Sequence, residues 1–217
     1  MNFTTYLFDF DGTLADSMPC FSQKMINVLN RSGVAYPKDI VKTVTPLGTV
    51  DIARYFQEKL HVPFTIEEIM KQMDDYALVE YRDHIPLKDG VLEYLQMLKQ
   101  HNCSLNILTA SPHHLLDPCL KRNGIWDLFD HVMSCDDLGL TKSNPDIYLA
   151  AAKRIGVDLS DMVFFDDNIH AVKTAVSANL YTIGVYDASS AEYAEQIQQL
   201  CNTYITSMRE MLSIDAR

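Results

Sequence analysis

Apolar residues follow two patterns along this chain, short unbroken runs that are typical of buried strands and repeats of three and four that are typical of helices. The apolar runs predict strands at residues 6–8, 104–109, 130–134, 162–165 and 181–185, with a short edge segment at 204–206. From residue 91 onward, helical repeats separate these runs, at residues 91–98, 112–121, 144–155 and 169–178 and from residue 191. Because parallel strands need crossover connections, this alternation predicts an α/β fold whose parallel sheet is covered by helices on both faces.

No strand pattern occurs between residues 17 and 84, where apolar positions repeat with helical spacing at 18–29, 50–60 and 66–81. Thr65 stands before the last of these repeats and Glu68 stands in its first turn, an order typical of a capped helix start. The pattern therefore predicts two domains, a core of residues 1–16 and 85–217 and an inserted all-helical domain of residues 17–84.

The composition restricts the partners that this chain can have. Its 217 residues, 47% of them hydrophobic, are enough to bury one large core and a small inserted module. Eighteen basic residues against 29 acidic ones give a net charge of −11. This charge disfavours binding to nucleic acid and to anionic membranes, so we expect a small molecule as the partner.

The cysteines and the apolar runs indicate a cellular location. The five cysteines show no Cys-x-x-Cys spacing, which predicts reduced thiols. The chain opens into a strand rather than into the charged and apolar segments of a secretion signal, and no apolar run has transmembrane length. We therefore expect a cytoplasmic protein.

Candidate chemistry begins directly after the first predicted strand. Asp9 and Asp11 lie two residues apart, which places both carboxylates on one side of the strand end, and Gly12 then turns the chain. Two carboxylates this close do not both stay ionised without help, so the pair implies either a bound cation or a proton on one of them.

Polar residues also follow the later strands of the predicted sheet. Ligands of parallel sheets bind beyond the carboxyl ends of the strands, so we expect these residues to meet Asp9 and Asp11. They are Thr109 and Ser111, which flank Ala110, after the second strand, Lys142 in a loop, and Asp166 with Asp167 after the fourth strand.

Residues 9–14, with the sequence Asp-Phe-Asp-Gly-Thr-Leu, resemble the first motif of the haloacid dehalogenase superfamily. Thr109 is similar to the second motif, Lys142 to the third, and the pair Asp166 and Asp167 to the fourth. The helical insert is similar in place and size to the cap of the branch that contains phosphoglycolate phosphatase and β-phosphoglucomutase. The resemblance covers essentially the whole chain and implies a Rossmann-like core.

The resemblance implies that Asp9 is the nucleophile that takes up a phosphoryl group as an aspartyl-phosphate. It implies that Asp11 is the acid and base, which protonates the leaving oxygen and later deprotonates water. Gly12, Thr109 and the amide of Ala110 are the expected phosphate-binding groups, and Lys142 balances the charge of Asp9 and of the phosphate.

The same resemblance implies a magnesium ion. Asp9 and Asp167 would hold it through their carboxylates and Asp11 through its backbone carbonyl, an oxygen-rich set of the kind that Mg²⁺ prefers. The family commonly has Gly or Glu in place of Asp166, so Asp166 could be a metal ligand, an outer acceptor or a spectator.

These residues indicate a Mg²⁺-dependent phosphatase that hydrolyses a small phosphorylated metabolite under its helical cap. No motif separates this activity from that of a phosphomutase, which hands the phosphoryl group back to a sugar. A non-catalytic phosphate-binding regulatory protein is a third alternative, although the intact acidic residues disfavour it. The sequence favours neither a monomer nor a homodimer.

Overall fold

A computed structural model describes residues 3–45 and 47–215, so the outermost residues of the predicted core, 1, 2, 216 and 217, lie outside the described residues. The described strands all run parallel in a single sheet. They are β1 (Thr5–Phe8), β2 (Ser104–Thr109), β3 (His131–Ser134), β4 (Met162–Asp166), β5 (Tyr181–Val185) and β6 (Thr203–Ile205). Their order across the sheet is β3-β2-β1-β4-β5-β6. The predicted parallel α/β fold is therefore confirmed.

The central strands are buried on both faces of the sheet. Every residue of β1 and of β4 is buried, which explains the unbroken apolar runs of residues 6–8 and 162–165 within them. Phe8, the last residue of β1, lies opposite Ile107 of β2 and Phe165 of β4. The rings of Phe8 and Phe165 stack with their centroids 4.7 Å apart. This register brings the carboxyl ends of three adjacent strands to one edge of the sheet.

The chain divides into two compact units, one that ends at Asp16 and resumes at Pro86, and one that comprises Ser17–Ile85. The second unit is helical and has its own apolar core, in which Met25, Phe56 and Met73 are buried. Thr65 and Glu68 form the expected capping box at the start of the last helix. The helices of this unit are α1 (Met18–Ser32), α2 (Ile40–Val44), α3 (Thr49–Glu58) and α4 (Ile66–Asp83).

Further helices lie between the strands of the sheet along the chain, and one follows the last strand. They are α5 (Val91–Gln100), α6 (His113–Arg122), α7 (Cys135–Leu138), α8 (Asp146–Ile155), α9 (Ile169–Ser177), α10 (Ala194–Leu200) and α11 (Arg209–Ile214), with 3-10 turns at Trp126–Leu128, Leu159–Asp161 and Ala188–Tyr193. The apolar pattern does not reveal α2, α7 and α11, because each is too short to show a helical repeat. Within the described part of the chain, no helix combines the length and the apolarity needed to cross a membrane.

Candidate active site

Three carboxylates meet at the carboxyl edge of the sheet. Asp9 follows β1, Asp166 ends β4 and Asp167 comes next, and one oxygen from each lies within 4.8 Å of the others. All three residues are buried. The pairing of β1 with β4 explains this meeting, because the Asp9 amide donates a hydrogen bond of 2.9 Å to the Phe165 carbonyl. The structure therefore brings together two of the expected site residues and Asp166, whose role the sequence left open.

Lys142 supplies positive charge to this cluster. Its loop precedes α8, and its Nζ donates to Asp9 Oδ1 and, at 2.9 Å, to Asp166 Oδ2. Burial alone lowers the pKa of Lys142, but the carboxylates of Asp166 and Asp9 outweigh burial and raise this pKa above its ordinary value. Lys142 is therefore a partly buried ammonium group, with its side chain 12% exposed, that faces the cluster.

One lysine does not neutralise three carboxylates. Burial raises the pKa of Asp9 to about 7, with the repulsion from Asp166 and Asp11 adding to it and the attraction of Lys142 opposing it. Burial also raises the pKa of Asp167 well above its ordinary value, and the charges of Asp166 and Asp9 add to this shift. A deficit of positive charge among closely spaced carboxylate oxygens fits a hard divalent cation such as Mg²⁺.

The turn after β1 packs directly on Asp167. Gly12 has a φ of +81°, and a Cβ at this position would lie 2.6 Å from Asp167 Oδ2. Only glycine combines this backbone conformation with so close an approach. Thr13 donates a hydrogen bond of 3.1 Å from its hydroxyl to Asp167 Oδ1. The turn therefore fixes the orientation of the Asp167 carboxylate.

Asp11 has a different environment from the three-carboxylate cluster. Its Oδ2 accepts a hydrogen bond of 2.5 Å from the Ser111 hydroxyl, in the segment that follows β2. The hydroxyl oxygen of buried Thr109 accepts from the Ser111 amide at 3.1 Å, and exposed Ala110 lies between them. The end of β2 is thus tied to the turn that carries Asp11.

Sequence reasoning missed the contacts that hold these groups in place. The Asn168 amide donates to Asp166 Oδ1 at 2.7 Å, and the Asn168 side chain caps α9. Asparagine directly before a helical repeat was the available signal for that cap. Ser111 was expected near Asp11 because it follows the strand end at Thr109, but its hydrogen bond to the Asp11 carboxylate was not expected. The contacts of Lys88, described below, have no local signal.

Comparisons with known proteins identify the family of this chain. The family model described as haloacid dehalogenase-like hydrolase matches residues 6–185. The chain is 26% identical to hexitol phosphatase B of Escherichia coli O157:H7 over 212 residues. This alignment covers 96% of this chain and 94% of that protein. It is 24% identical over 177 residues to a phosphorylated carbohydrates phosphatase of Thermotoga maritima, and this alignment covers 82% of each protein.

A solved structure shows the same fold. β-Phosphoglucomutase from Clostridium difficile superposes with a TM-score of 0.75 at 18% identity, over 96% of this chain and 93% of that one. The family model spans most of the chain, from the second residue of β1 to the end of β5, and includes the carboxylate cluster. The chain therefore belongs to the haloacid dehalogenase-like hydrolase family.

Proposed function

We propose that this hydrolase is a Mg²⁺-dependent phosphatase that cleaves a small phosphomonoester through an aspartyl-phosphate on Asp9. The observation that carries the proposal is the placement of Asp9, a buried carboxylate in contact with the Lys142 ammonium and surrounded by further acids. Such a site can neutralise a phosphoryl group and offers it a nucleophile, which are the main demands of phosphoryl transfer.

In the first step, an oxygen of Asp9 forms a bond to phosphorus while the bond from phosphorus to the ester oxygen breaks. Asp11 gives a proton to that leaving oxygen. In the second step, Asp11 takes a proton from water, whose oxygen attacks phosphorus, and the bond to Asp9 breaks to release inorganic phosphate. The hydrogen bond from Ser111 supports this role, because it holds the Asp11 carboxylate in one orientation.

Phosphoryl oxygens would be bound by groups that have a proton to donate. The Thr109 hydroxyl already accepts from the Ser111 amide, so its own proton can point to a phosphoryl oxygen. The amide of Ala110 and the ammonium of Lys142 complete the proposed set. The Gly12 amide, which the resemblance also implied, donates to the Ala15 carbonyl at 2.9 Å and so has no proton left for a phosphoryl oxygen. Donors placed where negative charge develops are an effective source of transition-state stabilisation.

The metal would be held by the carboxylates of Asp9 and Asp167 and the backbone carbonyl of Asp11. Asp166 lies in the same cluster, where its two oxygens are engaged by Lys142 and by the Asn168 amide, so we assign it to the positioning of Lys142. When bound, Mg²⁺ withdraws charge from the phosphoryl oxygens and orients them for in-line attack. The Gly12 and Thr13 contacts keep Asp167 ready for this task.

We assign the helical unit to the cap that closes over the substrate and limits the access of water. The two curated relatives named above are phosphatases of hexitol phosphate and of phosphorylated carbohydrates. Phosphorylated polyols and sugars are therefore the first substrates to test. The net charge of −11 supports a small-molecule substrate rather than nucleic acid.

The test is the release of inorganic phosphate from a panel of polyol, sugar and two-carbon phosphomonoesters. The panel is assayed with Mg²⁺ and with EDTA for wild type, for Asp9→Asn and for the matched control Asp127→Asn, whose carboxylate is exposed. We expect turnover that requires Mg²⁺, persists in Asp127→Asn and is lost in Asp9→Asn. Full activity of Asp9→Asn, or turnover in EDTA, would contradict the mechanism. An isomerised sugar phosphate without net phosphate release would identify a phosphomutase instead.

A further inference from the structure

A second polar cluster, formed by Lys88, Asp187 and Ser189, contacts the Gly12 turn. It lies beside a pocket of about 300 Å³ in the unit that contains the sheet. The pocket is lined by the turn after β1, by the segment in which the chain resumes at Pro86, and by the segments that follow β5 and β6. Lys88 is the lysine of this lining, and its side chain is only 18% exposed.

The ammonium of Lys88 has its three protons directed at three protein acceptors. Nζ lies 2.5 Å from the Gly12 carbonyl, 2.7 Å from the Tyr186 carbonyl and 2.9 Å from Asp187 Oδ2. A lysine ammonium has three donors, so none is left for a substrate phosphate. This geometry distinguishes Lys88 from Lys142, which contacts the carboxylate cluster directly.

Asp187 is itself held in place. Its Oδ1 accepts from the Ser189 amide at 2.9 Å and from the Ser189 hydroxyl at 2.7 Å, while Oδ2 accepts from Lys88. Burial raises the pKa of Asp187, but these hydrogen bonds, with that from Lys88 foremost, outweigh burial and lower it overall. Asp187 is therefore an ionised anchor for the Lys88 ammonium.

The contacts of Lys88 continue to Asp167 through the Gly12 turn. The backbone amide of Lys88 also donates to the Leu14 carbonyl at 2.9 Å, so both its backbone and its side chain bind this turn. The turn in turn packs on the Asp167 carboxylate at Gly12 and donates to it from Thr13. A displacement of the turn would therefore change the orientation of Asp167.

We propose that Lys88, anchored by Asp187, is a positioning residue. Its hydrogen bonds hold the Gly12 turn in contact with Asp167 and so set the metal-binding orientation of that carboxylate. The part of this inference that concerns catalysis rests on the proposed function. The part that concerns cation binding rests on Asp167 and can be tested without turnover.

The test compares Lys88→Met and Asp187→Asn with wild type and with the control Lys99→Met. Lys99 forms an ion pair of 2.9 Å with Asp130, which precedes β3. β3 is the outermost strand on the side of the sheet away from β5 and β6. The first readout is the affinity for Mn²⁺, measured from the free-ion electron paramagnetic resonance signal. The second is the Mg²⁺ concentration that gives half-maximal activity, with the substrate KM and the melting temperature measured beside it.

We expect Lys88→Met to weaken Mn²⁺ binding and to raise the Mg²⁺ requirement by about 10- to 100-fold, as is usual for residues that support metal ligands. The substrate KM at saturating Mg²⁺ should change little. Asp187→Asn keeps the side-chain shape and should cause a smaller loss in the same direction. Lys99→Met should bind Mn²⁺ as wild type does.

A folded Lys88→Met with wild-type Mn²⁺ affinity would overturn the inference, as would an equal loss in Lys99→Met. If Lys88→Met does not fold, Asp187→Asn decides, and an unchanged Mn²⁺ affinity in that variant overturns the inference. If wild type releases no phosphate from any substrate, the proposed function fails, while a loss of Mn²⁺ affinity in Lys88→Met still supports the positioning role.

Discussion

Replacing Asp9 by asparagine tests whether the carboxylate cluster destabilises the fold when no cation is bound. Burial, with repulsion from Asp166 and Asp11, outweighs the attraction of Lys142 and raises the pKa of Asp9 from 3.8 to about 7. A carboxyl group whose pKa is higher in the folded state binds more protons there than in the unfolded chain. Its contribution to the free energy of unfolding therefore falls as the pH rises from the unfolded to the folded pKa.

The magnitude follows from these two pKa values. Since one pKa unit corresponds to ~1.4 kcal/mol, raising the pH from 5 to 8 should lower the free energy of unfolding by about 2 to 3 kcal/mol through Asp9. Asparagine has the same shape, stays neutral and can still accept a hydrogen bond from Lys142. Metal-free Asp9→Asn should therefore be more stable than wild type, and its advantage should grow by about that amount between the two pH values.

The assay is urea unfolding in EDTA at pH 5 and pH 8, followed by circular dichroism, with Asp127→Asn as the exposed-carboxylate control. Adding Mg²⁺ at pH 8 should stabilise wild type, because a ligand that binds only the folded state raises the free energy of unfolding. The advantage of Asp9→Asn should then shrink. Equal stabilities of wild type and Asp9→Asn at pH 8, or an advantage independent of pH, would refute the reasoning.

Two further predictions concern the ends of β2 and β3. Ser111→Ala removes the hydrogen bond to the Asp11 carboxylate and should lower kcat about tenfold, with little change in KM. This factor corresponds to the loss of a charged hydrogen bond of ~1.5 kcal/mol. An unchanged kcat in steady-state assays would exclude this contribution. His113 contacts Asp137 and Asp117 at 2.8 Å each, and these hydrogen bonds raise its pKa. The contribution of the protonated His113 ring to the free energy of unfolding is therefore present below the unfolded pKa of ~6.5 and is lost as the pH rises through the folded pKa. His113→Gln should consequently unfold more easily than wild type at pH 6 but not at pH 9. NMR titration of the ring in wild type should show the raised pKa.

The sheet and the meeting of the site residues could be predicted because their causes are local. The unbroken apolar run before Asp9 and the one that ends at Asp166 each specify a buried strand, and the helices between them require parallel pairing. Parallel strands end at the same edge of the sheet, so the polar residues that follow β1, β2 and β4 had to come together. The placement of Asp9, Asp166 and Asp167 in one cluster follows from this topology.

The contacts of Lys88 could not be predicted, because its side chain binds residues that lie 76, 98 and 99 positions away. No apolar period or motif marks this residue, and its geometry depends on how the loop after β5 approaches the Gly12 turn. The involvement of Asp166 has a similar explanation. Its sequence position allows a metal ligand, an outer acceptor or a spectator, and only the path of the Lys142 side chain shows that it shares this ammonium with Asp9.

In the proposed mechanism, the raised pKa of Asp9 links activation of the nucleophile to cation binding. A nucleophilic carboxylate must be ionised, but with a pKa of about 7 Asp9 is still partly protonated at neutral pH when protons alone compensate the cluster. A divalent cation among the same oxygens competes with those protons, so its binding should release protons and become tighter as the pH rises. Lys142 alone cannot keep Asp9 ionised, because its ammonium is shared between Asp9 and Asp166 while Asp167 adds a third carboxylate. The proposed requirement for Mg²⁺ would then originate partly in Asp9, which the cation keeps ionised, as well as in the charge of the phosphoryl group.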